Sequence, residues 1–274
     1  MRELQIPDLI SAAKSLYERR GDARAINYEN LSSEVDFTVK IVHKKLKRYF
    51  AEELEYFECK YGLSTPVIVL LRYEITGDIP FVEERKKWGK FQPSRKDWFQ
   101  GVRLPLELTS EAVELLMVYL MDGAPLAKDD RYTIQLSGKS DDFDFYENFV
   151  VPRIRSVHNI RSTVFRKRTS AEYPQVAVRS KAVYTWLMED LGYSQVLSQL
   201  NPDLQQSAFD VILASQGTKN NGRVSISHAT MLGEIERLAN ALGFNPERRD
   251  SSGTLIFSDD ETGRMNLINS RHVI

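Results

Sequence analysis

The densest concentration of side chains able to do chemistry lies between Arg153 and Lys181. There Arg153, Arg155, Arg161, Arg166, Lys167, Arg168, Arg179 and Lys181 meet a single acid, Glu172, for a local charge of +7. Guanidinium and ammonium groups at that density can replace the counterions of a phosphate backbone. Two alternating stretches add a second kind of contact. In Arg131–Ser137 the residues Arg131, Thr133, Gln135 and Ser137 fall on one side of a strand, with Tyr132, Ile134 and Leu136 on the other. In 174–179, Gln175, Ala177 and Arg179 oppose Val176 and Val178. An outward face of Arg, Gln, Thr and Ser is what a β-ribbon needs to hydrogen-bond base edges in a major groove. Any half-buried sheet also turns polar residues outward, and the excess of arginine is what tips the balance toward DNA.

The whole-chain figures point elsewhere. The 274 residues carry 37 Lys plus Arg against 38 Asp plus Glu, a formal net charge of −1, so global charge gives no support to nucleic-acid binding. Four histidines, His43, His158, His228 and His272, are scattered without metal-ligand spacing and read as structural or surface residues. The single cysteine, Cys59, excludes an internal disulfide and a cysteine-rich zinc site. No GxxxxGK[ST], GxGxxG or GxSxG pattern is present, which leaves P-loop hydrolysis and serine-esterase chemistry without support. No long uncharged apolar run and no leader are visible, so the expectation is an intracellular, cytoplasmic protein with no membrane role.

The elements that must position these residues divide at a Pro-containing, charged segment, 80–105. Before it, residues 1–100 read as a helix-rich domain of unknown role: a helix over 7–20, then one long or two consecutive helices over 31–60 ending near Gly62, then a buried strand or short helix at Val67–Leu71. The basic run Lys44, Lys45, Lys47 and Arg48 could face DNA. It reads more readily as a solvated helix face, because Glu52, Glu53 and Glu55 follow within two turns. These helices also allow a protein partner or self-association.

From 106 onward an order of elements occurs twice. A helix over 110–121 gives way at Asp122-Gly123 to the strand of Arg131–Ser137, a helix through Phe143–Val150, strands at 161–167 and 174–179, and a helix over 181–191. Then a helix over 204–216 stops at Gly217, followed by a strand at Arg223–Ser227, a helix over 229–242 and a hairpin across Ser252-Gly253. The two glycines stand 94 residues apart, a spacing that implies a pseudo-twofold pair of α/β units.

The segment Leu115-Leu116-Met117-Val118-Tyr119-Leu120-Met121-Asp122-Gly123 resembles the motif that names the LAGLIDADG homing endonucleases, and Phe209–Gly217 resembles a degenerate second copy. The resemblance covers about residues 104–274. It implies an α+β fold, a saddle of two pseudo-symmetric repeats at 101–192 and 193–274, with the motif helices side by side at the axis. It further implies that each motif helix aims its acidic position at a scissile phosphate, where carboxylates hold Mg²⁺ against the charge that develops in phosphodiester hydrolysis. Asp122 takes that position in the first repeat and Gln216 in the second, so Asp122 and Gln216 are the implied catalytic and metal-binding pair. An amide carries no charge, and the second site should bind Mg²⁺ more weakly. Met117 and Val211 stand where the family favours small residues, which would push the helices apart or demand repacking. Lys181 or Arg179 matches the basic residue placed near the attacking water, and Arg223, Ser225 and Ser227 would repeat the DNA-facing role of the first strand. Lys219, Asn220 and Asn221 form a polar loop near the second site.

The expectation is therefore a double-stranded DNA-binding protein resembling a LAGLIDADG homing endonuclease, with Mg²⁺-dependent site-specific cleavage through Asp122. The alternatives are a domesticated, non-catalytic DNA-binding regulator and an RNA-splicing maturase with structured RNA as partner.

Overall fold

The computed structural model describes residues 3–265 apart from 140–141, 169–171, 193–196, 198–199, 229 and 250–251. The chain divides between Leu104 and Pro105 into two compact units. The fold is α+β: among the described residues the first unit holds helices alone, and the second holds helices plus two antiparallel sheets.

In the first unit, α1 (Ile6–Arg20) begins with Pro7 in its first turn and ends on Gly21 in the left-handed conformation. Then come α2 (Tyr28–Val35), α3 (Val39–Tyr49), α4 (Ala51–Tyr61), α5 (Val67–Thr76), α6 (Val82–Trp88) and α7 (Arg95–Gln100). Leu9, Ala13 and Leu16 of α1, Leu31 and Val35 of α2, Val42 and Leu46 of α3 and the run Val67–Leu71 of α5 make one core. That run is a helix, because it is buried nearly all round rather than on alternate residues. The charged stretch read as one or two helices is broken at Phe50, which sits at φ −93°, ψ 24°, with its ring buried. Segment 80–105 carries α6 and α7 in addition to its prolines.

The second unit repeats one construction. Helix α8 (Ser110–Asp122) runs without a loop into β1 (Gly123–Lys128), which turns back into β2 (Arg131–Ser137). Next come α9 (Phe143–Phe145), a π-turn at Tyr146–Val150, α10 (Val151–His158), β3 (Phe165–Arg168), β4 (Glu172–Arg179) and α11 (Lys181–Thr185). The second copy is α12 (Pro202–Gln216), β5 (Gly217–Asn220), β6 (Arg223–Ser227), α13 (Leu232–Ala241), β7 (Glu247–Arg249), β8 (Thr254–Phe257) and α14 (Asp259–Arg264). The sheet orders are β1-β2-β4-β3 and β5-β6-β8-β7, the same topology twice.

Local chemistry explains the match. Both hairpins turn on two residues with positive φ, Asp129-Asp130 (49° and 58°) and Asn221-Gly222 (50° and 82°), as a tight two-residue turn that follows the strand twist requires. Both helix-to-strand junctions need glycine for lack of room. A Cβ on Gly123 would stand 2.1 Å from the Tyr119 carbonyl oxygen, and one on Gly217 2.3 Å from that of Leu213. Asp122-Gly123 is thus not a turn after a core helix but a direct passage from helix to strand.

Helices α8 and α12 pack directly against each other, with Cα atoms of one within 8 Å of the other. Met117 and Val211 are fully buried, so the bulky pair is accommodated in the core around this contact. Ile134, Leu136, Val176 and Val178 fill the helix-covered face of the first sheet; Val224, Ile226, Leu255 and Phe257 do so in the second.

Candidate functional site

The two motif helices end beside one another. The Gln216 amide Nε2 donates to Asp122 Oδ1 at 3.0 Å and to the Met121 carbonyl at 3.3 Å. The Tyr146 hydroxyl donates to Asp122 Oδ2 at 3.0 Å. The residues that sequence periodicity set 94 apart are therefore in direct contact. Tyr146 reaches this point because the helix leaves regular geometry there. Pro152 withholds the N–H that the Asn148 carbonyl would accept, and the π-turn over Tyr146–Val150 absorbs the defect. Gly138 makes room, since a Cβ there would lie 2.7 Å from both the Tyr146 ring and Asp142 Oδ2.

A histidine of the second half lies near this junction. His228 follows β6, and its Nδ1 accepts the backbone N–H groups of Thr230 (3.3 Å) and Met231 (3.1 Å). Burial pushes its pKa below the ordinary 6.5, more than the nearby Leu120 carbonyl and the attraction of Asp122 raise it. Leu120 and Met121 lie in the last turn of α8, where carbonyls have no partner within the helix. Gln216 thus satisfies a carbonyl of a helix that belongs to the other repeat.

The electrostatic character of the junction follows. Two helix C-termini, each equivalent to about half a negative charge, converge on one carboxylate. A hard cation with oxygen ligands fits such a place. No group of three or more His, Cys, Asp or Glu side chains able to hold a metal occurs among the described residues. The donor set is one carboxylate with neutral oxygens around it. Mg²⁺ is held in that manner, by one or two carboxylates and the substrate's phosphate oxygens.

The remaining candidates divide by position. Arg131 and Arg179 are exposed, and Thr133, Gln135 and Ser137 are half-buried on the face of the first sheet away from the helices. Thr133 pairs with Arg179 and Lys128 with Arg131 across the strands, so three cations share that face, with Leu126 50% exposed between them. Arg161 is exposed in the loop before β3. The side chains of Arg166, Lys167 and Arg168 lie outside the described residues. Gln175 is only 5% exposed and donates to Ser137 Oγ at 3.1 Å. It clips β4 to β2 rather than offering its amide outward.

Lys181 is not brought to Asp122. Gly123, next to Asp122, pairs with Leu136, whereas the Lys181 Nζ lies 5.1 Å from the centre of the Tyr132 ring. Four residues of strand separate Leu136 from Tyr132, about 13 Å. The +7 segment is likewise not one surface. Arg153 turns inward to Glu114, with Nη2 to Oε2 at 2.5 Å, and stacks on Phe149. Arg155 lies with it in the helix layer, on α10.

In the second sheet, Arg223 lies 3.7 Å from Asp259, and Arg249 from β7 pairs with Glu247 at 3.2 Å. Ser227 and Thr254 share a hydrogen bond of 2.9 Å, while Ser225 Oγ donates to the Thr218 carbonyl at 3.3 Å. Lys219 is exposed on β5, Asn221 belongs to the hairpin turn, and the side chain of Asn220 lies outside the described residues.

Sequence reasoning missed Tyr146 and His228. Pro152, within two turns of Tyr146 in an aromatic-rich helix, was the only signal for the first. For the second, the equivalent position after β2 is Gly138, so the repeat itself concealed it.

No family model matches the chain. No curated protein matches it either. Among solved structures, it is similar to the homing endonuclease I-DmoI in complex with DNA and Mn, at 17% identity and a TM-score of 0.45, covering 59% of this chain and 98% of that one. It is also similar to the homing endonuclease I-WcaI bound to its DNA recognition sequence, at 13% identity and a TM-score of 0.42, covering 61% of this chain and 84% of that one. Both likenesses are remote.

Proposed function

We propose that the second unit binds duplex DNA through the outer face of its first sheet and nicks one strand in the presence of a divalent cation, with Asp122 as its acidic ligand. The observation that carries this is the meeting of Asp122 and Gln216 where two packed helices end. The likeness of Leu115–Gly123 and Phe209–Gly217 to the paired LAGLIDADG motifs agrees with that placement.

Mg²⁺, when bound, supplies Lewis-acid stabilisation of the attacking and leaving oxygens of phosphodiester hydrolysis. Asp122 would hold it together with phosphate oxygens. Gln216 and Tyr146 orient the carboxylate, one donor on each oxygen. Each carboxylate oxygen has a second lone pair, so these bonds leave room for a cation. Gln216 brings no charge of its own, and the strand facing it stays whole. Lys128, Arg131 and Arg179 contact phosphates; Gln135 and Thr133 reach base edges, and Leu126 offers an apolar contact for a thymine methyl group. Lys181, bound over Tyr132, has no part in the chemistry.

A second proposal, a non-catalytic DNA-binding regulator, is favoured by one feature: both oxygens of Asp122 already accept hydrogen bonds. A supercoiled plasmid library incubated with Mg²⁺, and separately with Mn²⁺, tells them apart. Nicked circles from the wild type, lost in Asp122→Ala while duplex binding persists, support cleavage. Retained duplex binding with no nicking supports the regulator. Undetectable binding to any duplex at low salt overturns both, and stronger competition by structured RNA would point to a maturase-like role.

A further inference from the structure

We infer that the first unit carries a helix-turn-helix whose second helix, α3, docks in the major groove of duplex DNA. This rests on residues outside the second unit and holds whether or not Asp122 supports cleavage.

The motif is built in the order such a reader requires. Helix α2 opens with Asn27, whose side chain accepts the Asn30 N–H, and closes at Asp36 in the left-handed conformation (φ 56°, ψ 48°). The backbone N–H groups of Asp36 and Phe37 both return to the Ser32 carbonyl, which makes a compact stop. Only Asp36, Phe37 and Thr38 separate α2 from α3, the three-residue turn of a helix-turn-helix. Helix α1 packs on both, and the buried residues Leu31, Val35, Val42 and Leu46 hold the pair to it.

What α3 leaves uncovered is chemically one-sided. Its sequence VKIVHKKLKRY holds five Lys or Arg residues and no acid. Val42 and Leu46 are its buried residues, and Lys40, Lys44 and Lys47 follow i, i+4, i+7 spacing on the opposite face. Lys40, Lys44, Lys47, Arg48, Val39 and Ile41 are all exposed, the last two by 41% and 46%. Lys45 reaches Glu3 at 3.5 Å, and no other ion pair involves α3 among the described residues. Like charges at such spacing each cost a few tenths of a kcal/mol, which an anionic partner would offset. The three acids Glu52, Glu53 and Glu55 do not neutralise this face, because the break at Phe50 puts them on α4. From Lys40 to Lys47 the helix rises about 10 Å, the length of about three base pairs, and its cylinder of about 10–12 Å suits the major groove.

The test uses the full chain and labelled random-sequence duplexes across a salt series. Lys40→Glu with Lys44→Glu is compared with Lys86→Glu plus Lys87→Glu, an equal charge change on α6. The α3 variant should bind at least tenfold more weakly, with a salt slope lower by about 2, while the α6 variant changes little. A photo-crosslinking residue at position 44 should label DNA in the wild-type background. Arg131→Ala with Arg179→Ala should leave that crosslink in place, so failure of the second unit to bind does not decide the outcome for the first. Equal losses in the α3 and α6 variants, no crosslink to duplex, or preferential crosslinking to structured RNA or to a second copy of the chain would each overturn the inference.

Discussion

The two halves of the second unit share a topology and differ in almost every side chain that could do chemistry. Each passes from helix to strand through a glycine that has no room for a Cβ, and each turns its first hairpin on two residues with positive φ. Yet the first half ends its helix in a carboxylate and the second in an amide that donates to it. The first sheet shows Lys128, Arg131 and Arg179 on its outer face, whereas Arg223 and Arg249 of the second sheet sit beside Asp259 and Glu247. The difference teaches that backbone geometry and reactivity are set by separate residues. The second half keeps the geometry and spends a polar group supporting the first: Gln216 donates to the Met121 carbonyl and to Asp122.

If the shared geometry is purely steric, its two glycines are equally necessary. Gly123→Ala and Gly217→Ala should each destabilise the unit by about 3 kcal/mol or more, since the new Cβ would meet backbone that cannot turn aside. Urea unfolding checks this, and a mild effect in one half alone would break the symmetry.

The support given to Asp122 should be uneven. Gln216→Leu removes a hydrogen bond to a carboxylate and also strands the Met121 carbonyl, whereas Tyr146→Phe removes only the former. The first should cost about 3 kcal/mol and the second about 1.5 kcal/mol. Gln216→Asp would set two carboxylates together, lowering stability at neutral pH. Added Mg²⁺ should raise the melting temperature of that variant more than that of the wild type.

The smallest effects are those of pH. His228 is held below 6.5 in the folded chain, so the unfolded chain binds more protons, and stability is lost as pH falls from about 6.5 toward the folded value. His228→Gln should flatten the unfolding profile in that window. Asp210 behaves oppositely. Burial raises its pKa, with Glu114 adding to this and the Gln206 hydrogen bond opposing it. The folded chain then binds more protons, and the residue's contribution is lost as pH rises through the raised value. Asp210→Asn should therefore stabilise at pH 7 and give no gain below about pH 3.8.

Much of the second unit was legible because its signals are local. Apolar runs ending in Asp122-Gly123 and Gln216-Gly217, and strict alternation in Arg131–Ser137, fix helix, strand and the outward face of β2. The contact of Asp122 with Gln216 agrees with the side-by-side motif helices that the LAGLIDADG resemblance implied. What local pattern could not supply was register: the resemblance implied a place for Lys181 near the attacking water, but strand pairing carries it to the far end of the sheet. Nor could charge counting tell that Arg153 turns inward to Glu114, or that Gln175 is covered. In the first unit, one buried ring, Phe50, separates the basic helix from the acidic one, and no propensity argument marks that break.

The account turns on the claim that the first sheet makes the phosphate contacts and the second does not. Duplex affinity against salt for wild type, Arg131→Ala with Arg179→Ala, and Arg223→Ala with Arg249→Ala measures this directly. The first pair should weaken binding and reduce the salt slope by about 2, with the second pair within error of wild type. Equal losses from the two sheets, or none from the first, would contradict it.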